Sequence, residues 1–345
     1  MDSRNVAATV LGFGVAAAVL GALAYVVGTE DVLAALARAR PGPVVVVAGC
    51  IVGWVALWGL SLQSVLSAVG TDVSTVDAVL VNASTAFANH VTPFGQAGGE
   101  PVAAWLLSDV ADAEFERSLA AVASFDALNV VPSLSLAGVG LAYYASVAVL
   151  GERLRAVATG LAGLAVALPL AALLLWRGRG GIERWLVGAV AAPLAIVGRV
   201  LPRVDPPDHE TVAARVGTFV ESIERVAGDR RRLAVALGYS ATGWLAQVAG
   251  LWVAFHALDA VVPPYVALFV VPLGTVASAL PTPGGLGGIE TVQIALLTAA
   301  IGVPAATIAA AVAIFSVGGF FLTTSIGAAA FAVLQARERR VLLPE

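Results

Sequence analysis

The feature that most constrains this chain is its set of long apolar runs. Residues 6–28, 43–69, 118–150, 156–176, 233–258 and 304–334 each approach or exceed the roughly 20 apolar residues a helix needs to cross a bilayer. Composition agrees. Charged residues make up 12% of the chain, about half the roughly 25% of a soluble domain. The first run is longer than the core of a secretory signal, which is about 7–15 residues, so it reads as a retained span. A shorter run, 185–198, reaches about 21 Å as a helix. That is short of a hydrocarbon core about 30 Å thick, so it reads as interfacial or dipping.

Two amphipathic stretches precede spans. In DVLAALARAR, Asp31 is placed to cap a helix, with Leu33 and Leu36 on one face. In HETVAARVGTFVESIERVAGDRRR, Val212, Val216, Phe219, Ile223 and Val226 share a face at helical spacing. Both read as elbow helices in the headgroup layer. Arginine is dense between Arg177 and Arg232 and again in the tail. With six spans, the basic-inside tendency puts both termini in the cytoplasm. If 185–198 crosses, the N-terminus lies outside instead.

The chain repeats itself. TPFGQAGGEPVAAWLL starts at Thr92 and TPGGLGGIETVQIALL at Thr282, an offset of 190. That offset pairs Pro93 with Pro283, Gly95 with Gly285, Gly98 with Gly288 and Glu100 with Glu290. Chance pairing of Leu and Val is cheap in this composition; chance pairing of Thr-Pro, two glycines and a Glu is not. The expected architecture is an all-α, polytopic membrane helix bundle. It is one membrane domain over residues 1–345, an inverted repeat with copies at about 31–150 and about 208–340.

Each copy carries an apolar segment broken by Pro and Gly, too short on either side of the break to cross comfortably. The expectation is two re-entrant helical hairpins. Their irregular turns need protein or a wet cavity around them, because lipid satisfies no backbone group. The second half-helix of each starts near Gly98 or Gly287. Its free N–H groups and dipole favour an anion there.

The candidate substrate-binding residues cluster at these breaks. They are Asn89, His90, Thr92, Gly98, Gly99, Glu100, Thr282, Gly284, Gly285, Gly287, Gly288, Glu290 and Gln293, with Asp126 on the next long span. Glu100 and Glu290 have two open readings. Each caps its half-helix, or each meets a cationic headgroup or a proton. His90 reads as a hydrogen-bonded wall residue or a proton relay. Asp126 lies well inside a span and needs a partner, with no Arg near it in sequence.

Enzyme motifs are missing. The Gly-rich stretch is not G-x-G-x-x-G, since Glu290 holds the third glycine position, and a P-loop needs a Lys that this chain lacks. Three scattered histidines and one cysteine, Cys50, make a metal site a poor expectation. No cofactor and no nucleic acid is expected.

NHVTPFGQAGGEPVAAWLL and PTPGGLGGIETVQIALLTAAIGVP resemble the flippase-like family that includes the transmembrane half of bacterial lysylphosphatidylglycerol synthases. The resemblance covers nearly the whole chain. It implies an integral membrane protein that moves lipids or lipid-linked headgroups between leaflets. Related archaeal proteins are linked to polyprenyl-phosphate sugar carriers. The aminoacyl-transferase domain of true synthases is not in this sequence, so lysyl-lipid synthesis is not carried over. Members often have an Arg in the last long span, about where Ser316 stands here. The functional expectation is a flippase or scramblase in the plasma membrane, acting on a phospholipid or polyprenyl-phosphate lipid, with a lipid-modifying enzyme as a candidate partner. The alternatives are a proton-coupled carrier of a small solute and a membrane component of a polyprenyl-phosphate glycosyltransfer pathway.

Overall fold

The computed structural model describes residues 28–92, 96–148, 209–279 and 283–342, with positions 14, 21, 151–152, 155–160 and 163. Most of the expected spans 6–28 and 156–176, and all of 185–198, lie outside the described residues. Among the described residues every regular element is a helix.

The first group of helices holds α1 (Thr29–Ala37), α2 (Pro41–Ala68), α3 (Thr75–Val91), α4 (Gln96–Ala111) and α5 (Phe115–Val147). The second holds α6 (His209–Gly228), α7 (Arg230–Ala257), α8 (Pro264–Thr275), α9 (Gly288–Ala300), α10 (Ala305–Val312) and α11 (Gly318–Leu342). A π-helical turn, Ala313–Val317, joins α10 to α11. Local chemistry sets several starts. Pro41 opens α2, where a missing N–H costs nothing. Ser74 caps α3 by accepting from Asp77 N at 3.1 Å, and Asp229 caps α7 by accepting from Arg232 N at 3.0 Å.

Among the described residues, three helices are long and apolar enough to cross a membrane: α2, α5 and the continuous Ala305–Arg337. α7 is as long as α2, but Ser240 and Gln247 are buried along it. α8 and α9 are short apolar helices.

One elbow differs from expectation. α1 is capped by Gly28 at φ 100°, and Asp31 sits inside the first turn. Its buried residues are Val32 and Ala35, while Leu33 is exposed. Leu36 is only partly buried. Packing against α10 selects the rotation of this short helix, and each residue turns the face by about 100°. In α6, Val216 and Val226 are buried as expected, Ser222 joins them, and Ile223 is turned outward.

Helices related by the offset of 190 pack alike. α3 lies on α11 as α8 lies on α5, and α2 lies on α3 as α7 lies on α8. The α2–α7 contact is the most extensive and maps onto itself. Arg40 Nη2 donates to His256 O at 2.8 Å, and Ser61 Oγ donates to Ala236 O at 2.9 Å. Between them, Trp58 fills the notch left by Gly243. Numbers rise along α2 as they fall along α7, so the two run antiparallel.

Close approaches at glycine hold the other seams. A side chain at Gly140 would meet Leu268, and one at Gly327 would meet the Ala83 carbonyl oxygen. Small residues that let helices touch are how helices associate where lipid is as apolar as the side chains.

Candidate functional site

Residues flanking both chain breaks line one cavity. α8 tightens into a 3-10 turn, Val276–Ala279, and a second such turn, Pro283–Gly285, leads to α9. Gly284, Gly285 and Gly287 all have positive φ, at 60°, 74° and 84°. Only glycine takes these values without strain. Gly287 is the N-cap of α9.

Glu290 then reaches back. Its Oε2 accepts from Gly287 N at 2.6 Å, the return half of a capping box. Its other oxygen, Oε1, accepts the hydroxyl hydrogen of Ser316. The side chain is 2% exposed. The anion expected at this helix start therefore meets a position that Glu290 already fills. Glu100 is placed differently. α4 begins at Gln96, so Glu100 lies past its first turn. Gly99 beside it packs directly on Asn89 of α3.

The cavity holds about 470 Å³. Asn89, His90, Glu100, Asp126, Gly284, Glu290 and Gln293 line it, so these expected residues do come together. Thr92, Gly99, Gly285, Gly287 and Gly288 are not among the residues that line it. Gly98 sits in the first turn of α4, and Thr282 is outside the described residues.

His90 is a wall residue. Its ring stacks on Phe320, and Nδ1 lies 2.7 Å from Thr324 Oγ1. Thr324 spends its one hydroxyl hydrogen on Phe320 O, at 2.5 Å. His90 Nδ1 is therefore the donor of that pair.

Sequence reasoning missed an aromatic corner. Trp58 meets Trp54, Trp244 and Phe125 edge-on, with ring centroids 5.3, 5.5 and 6.1 Å apart. All four line the cavity. Trp54 and Trp244 are related by the same offset of 190, a signal available in the sequence. Gln247 was missed as well.

Four buried polar atoms on this wall lack a hydrogen-bond partner among the described residues: Asn89 Oδ1, Gln293 Oε1, Gln247 Nε2 and Trp54 Nε1. Gln293 is 1% exposed and Gln247 7%. Native proteins rarely leave such atoms unpaired. The titratable lining groups are His90, Glu100, Asp126 and Glu290, and no Arg lines the cavity among the described residues.

The cavity opens on one side. Val130 of α5 and Val276 after α8 both line it, and they are 41% and 64% exposed. The offset of 190 carries Val130 onto Phe320, which is shut against His90.

The sequence profile of the family described as "Lysylphosphatidylglycerol synthase TM region" matches residues 9–327. Two proteins of Methanothermobacter thermautotrophicus, each described as a "UPF0104 membrane protein", are also similar. One is 24% identical over 324 residues, covering 90% of this chain and 91% of the relative. The other is 25% identical over 338 residues, covering 92% and 91%.

Proposed function

The chain belongs to the lysylphosphatidylglycerol synthase transmembrane-region family, and from that premise we propose that this integral membrane protein is a lipid flippase or scramblase. The headgroup crosses through the polar cavity while the acyl or prenyl tails stay in lipid. The observation that carries this reading is the sideways opening at Val130 and Val276, on the flank of a helix apolar enough to span. A cavity for a dissolved solute has no need of such a flank.

The proposed architecture is an inverted repeat with two re-entrant hairpins. In support, α2 and its counterpart α7 run antiparallel, so an axis relating the copies lies across both helices. Where these helices span, that axis lies in the membrane plane. α8 and α9 have 12 and 13 residues, about 18–20 Å of helix, too short to cross alone. The acidic lining favours a headgroup that carries a positive charge over one with phosphate alone.

Reconstitution tests this. Vesicles with the purified chain and a headgroup-labelled phospholipid should expose inner-leaflet label to an impermeant quencher faster than protein-free vesicles. Equal rates in both would sink the reading. A proton-coupled carrier of a small solute is the second reading, favoured by the carboxyl groups on the wall. Uptake of a dissolved amine driven by a pH gradient, with no lipid movement, would select it.

A further inference from the structure

The two repeat-related glutamates are not satisfied alike. Ser316 stands 26 residues after Glu290 and donates its hydroxyl hydrogen to it. Asp126 stands at the equivalent place after Glu100, 190 residues before Ser316. Both Glu100 and Asp126 line the cavity, near enough for their charges to repel. A hydroxyl can donate to a carboxylate. A second carboxyl group can do so only while one of the two holds a proton.

Nothing described in the protein offers another solution. Among the described residues neither Glu100 nor Asp126 has a hydrogen-bond or ion-pair partner. The titratable groups facing them are His90 from α3, bound to Thr324, and Glu290 from α9, bound to Ser316. α2, α7, α8 and α11 bring no charged side chain to the cavity. Asp126 is exposed at the open flank and Glu100 is half-buried, and two carboxylates on one wall that opens toward lipid do not both stay ionised without compensation. Among the described residues no cation supplies that compensation, which leaves a proton or a cation on the cargo to supply it.

The rest of the wall suits such a cation. Gln293 Oε1 is an unpartnered acceptor on a side chain 1% exposed. Trp54, Trp58 and Trp244 supply ring surface, which attracts ammonium groups.

We propose that Glu100 and Asp126 form an exchange site that holds either a proton or an ammonium group, each displacing the other. One positive charge enters and one proton leaves. An opening that alternates between sides would then couple cargo movement to a proton gradient. This rests on the transport reading above. The ammonium can belong to a lipid headgroup or to a dissolved amine.

The test uses the full chain in nanodiscs of lipid with no net charge, in weak buffer with a pH dye. The probe is dodecyltrimethylammonium, whose nitrogen has no proton to give, so any proton released comes from the protein. Tryptophan fluorescence reports occupancy independently. The expected result is binding with up to one proton released per probe. Asp126→Ser, which restores the hydroxyl donor of the second copy, should fold and release at least tenfold fewer protons per probe bound. Glu100→Gln with Asp126→Asn should release none. Binding without release by the native chain overturns the proposal, as does release undiminished in these variants, or no binding at all. Release with tetramethylammonium too supports exchange at a site open to dissolved amines; release with the dodecyl probe alone supports a lipid source. A native chain that moves labelled lipid in vesicles yet releases no proton overturns exchange and leaves the flippase reading standing.

Discussion

The imidazole of His90 lies against the ring of Phe320, with centroids 4.1 Å apart and 25° between the planes. This stack closes the seam between α3 and α11. The offset of 190 carries Phe320 back onto Val130 of α5, which is 41% exposed beside the cavity. Matching positions are thus closed against a neighbour in one case and exposed in the other.

Phe320→Val, which copies the open flank onto the closed one, should lower stability. The lost ring pairing is worth about 0.5–1.5 kcal/mol, and the vacated volume adds to it. Thermal unfolding in mild detergent measures the sum. In a Cys50→Ser background, a thiol introduced by Thr324→Cys should react severalfold faster with a bulky reagent when Phe320→Val is also present than when Phe320 is kept. An unchanged rate would mean the stack does not seal this seam.

Glu290 and Ser316 should behave as one unit. Glu290→Gln keeps the shape but weakens both bonds, at a cost of about 1–3 kcal/mol for a buried group left short of a partner. Ser316→Ala alone should cost about 1 kcal/mol. The double variant should lose clearly less than the sum, since each change removes the same contact. Additive losses in a melting series would separate the two residues and remove the cap–hydroxyl linkage.

Glycine positions split into two kinds. A Cβ at Gly327 would run into the Ala83 carbonyl oxygen, and backbone cannot yield there. Gly327→Ala should therefore destabilise by about 1–3 kcal/mol. Gly238 has nothing within 4 Å. Gly238→Ala should be neutral or stabilising by about 0.5–1 kcal/mol, through helix propensity. The melting temperatures of the two variants should move apart.

The antiparallel α2–α7 pair sets an expectation for sidedness. Asp72→Cys follows α2 and Val261→Cys follows α7, both at exposed positions. In a Cys50→Ser background, an impermeant thiol label should reach them from opposite faces of a sealed vesicle. Labelling of both from one face would exclude an inverted repeat.

Much of this was readable from sequence because it is local. Thr-Pro, the paired glycines and a Glu recur at one offset, and positive φ at Gly284, Gly285 and Gly287 is what such runs are for. The start of α9 at Gly288 followed from that chemistry. The meeting of Ser316 with Glu290 did not, since a contact between a turn and a later span leaves no periodic trace. The tryptophan corner and Gln247 were hidden for the same reason: in a span, a polar or aromatic residue looks alike whether it faces lipid, a neighbour or a cavity. The α1 face was misread because Val32 and Leu33 are both apolar, and only the partner helix chooses between them.

The notch at Gly243 has an unequal twin. Trp58 fills it, whereas the equivalent pair, Gly53 and Val248, leaves Gly53 with nothing within 4 Å. A machine with two interchangeable halves would rest equally in both of its mirror arrangements. Here the wedge sits on one side only, so two mirror arrangements in the proposed transport cycle would differ in energy before any cargo or gradient is present. About 1.4 kcal/mol of that difference is a tenfold bias in occupancy. One tryptophan and one missing side chain would then set the resting posture of that proposed cycle.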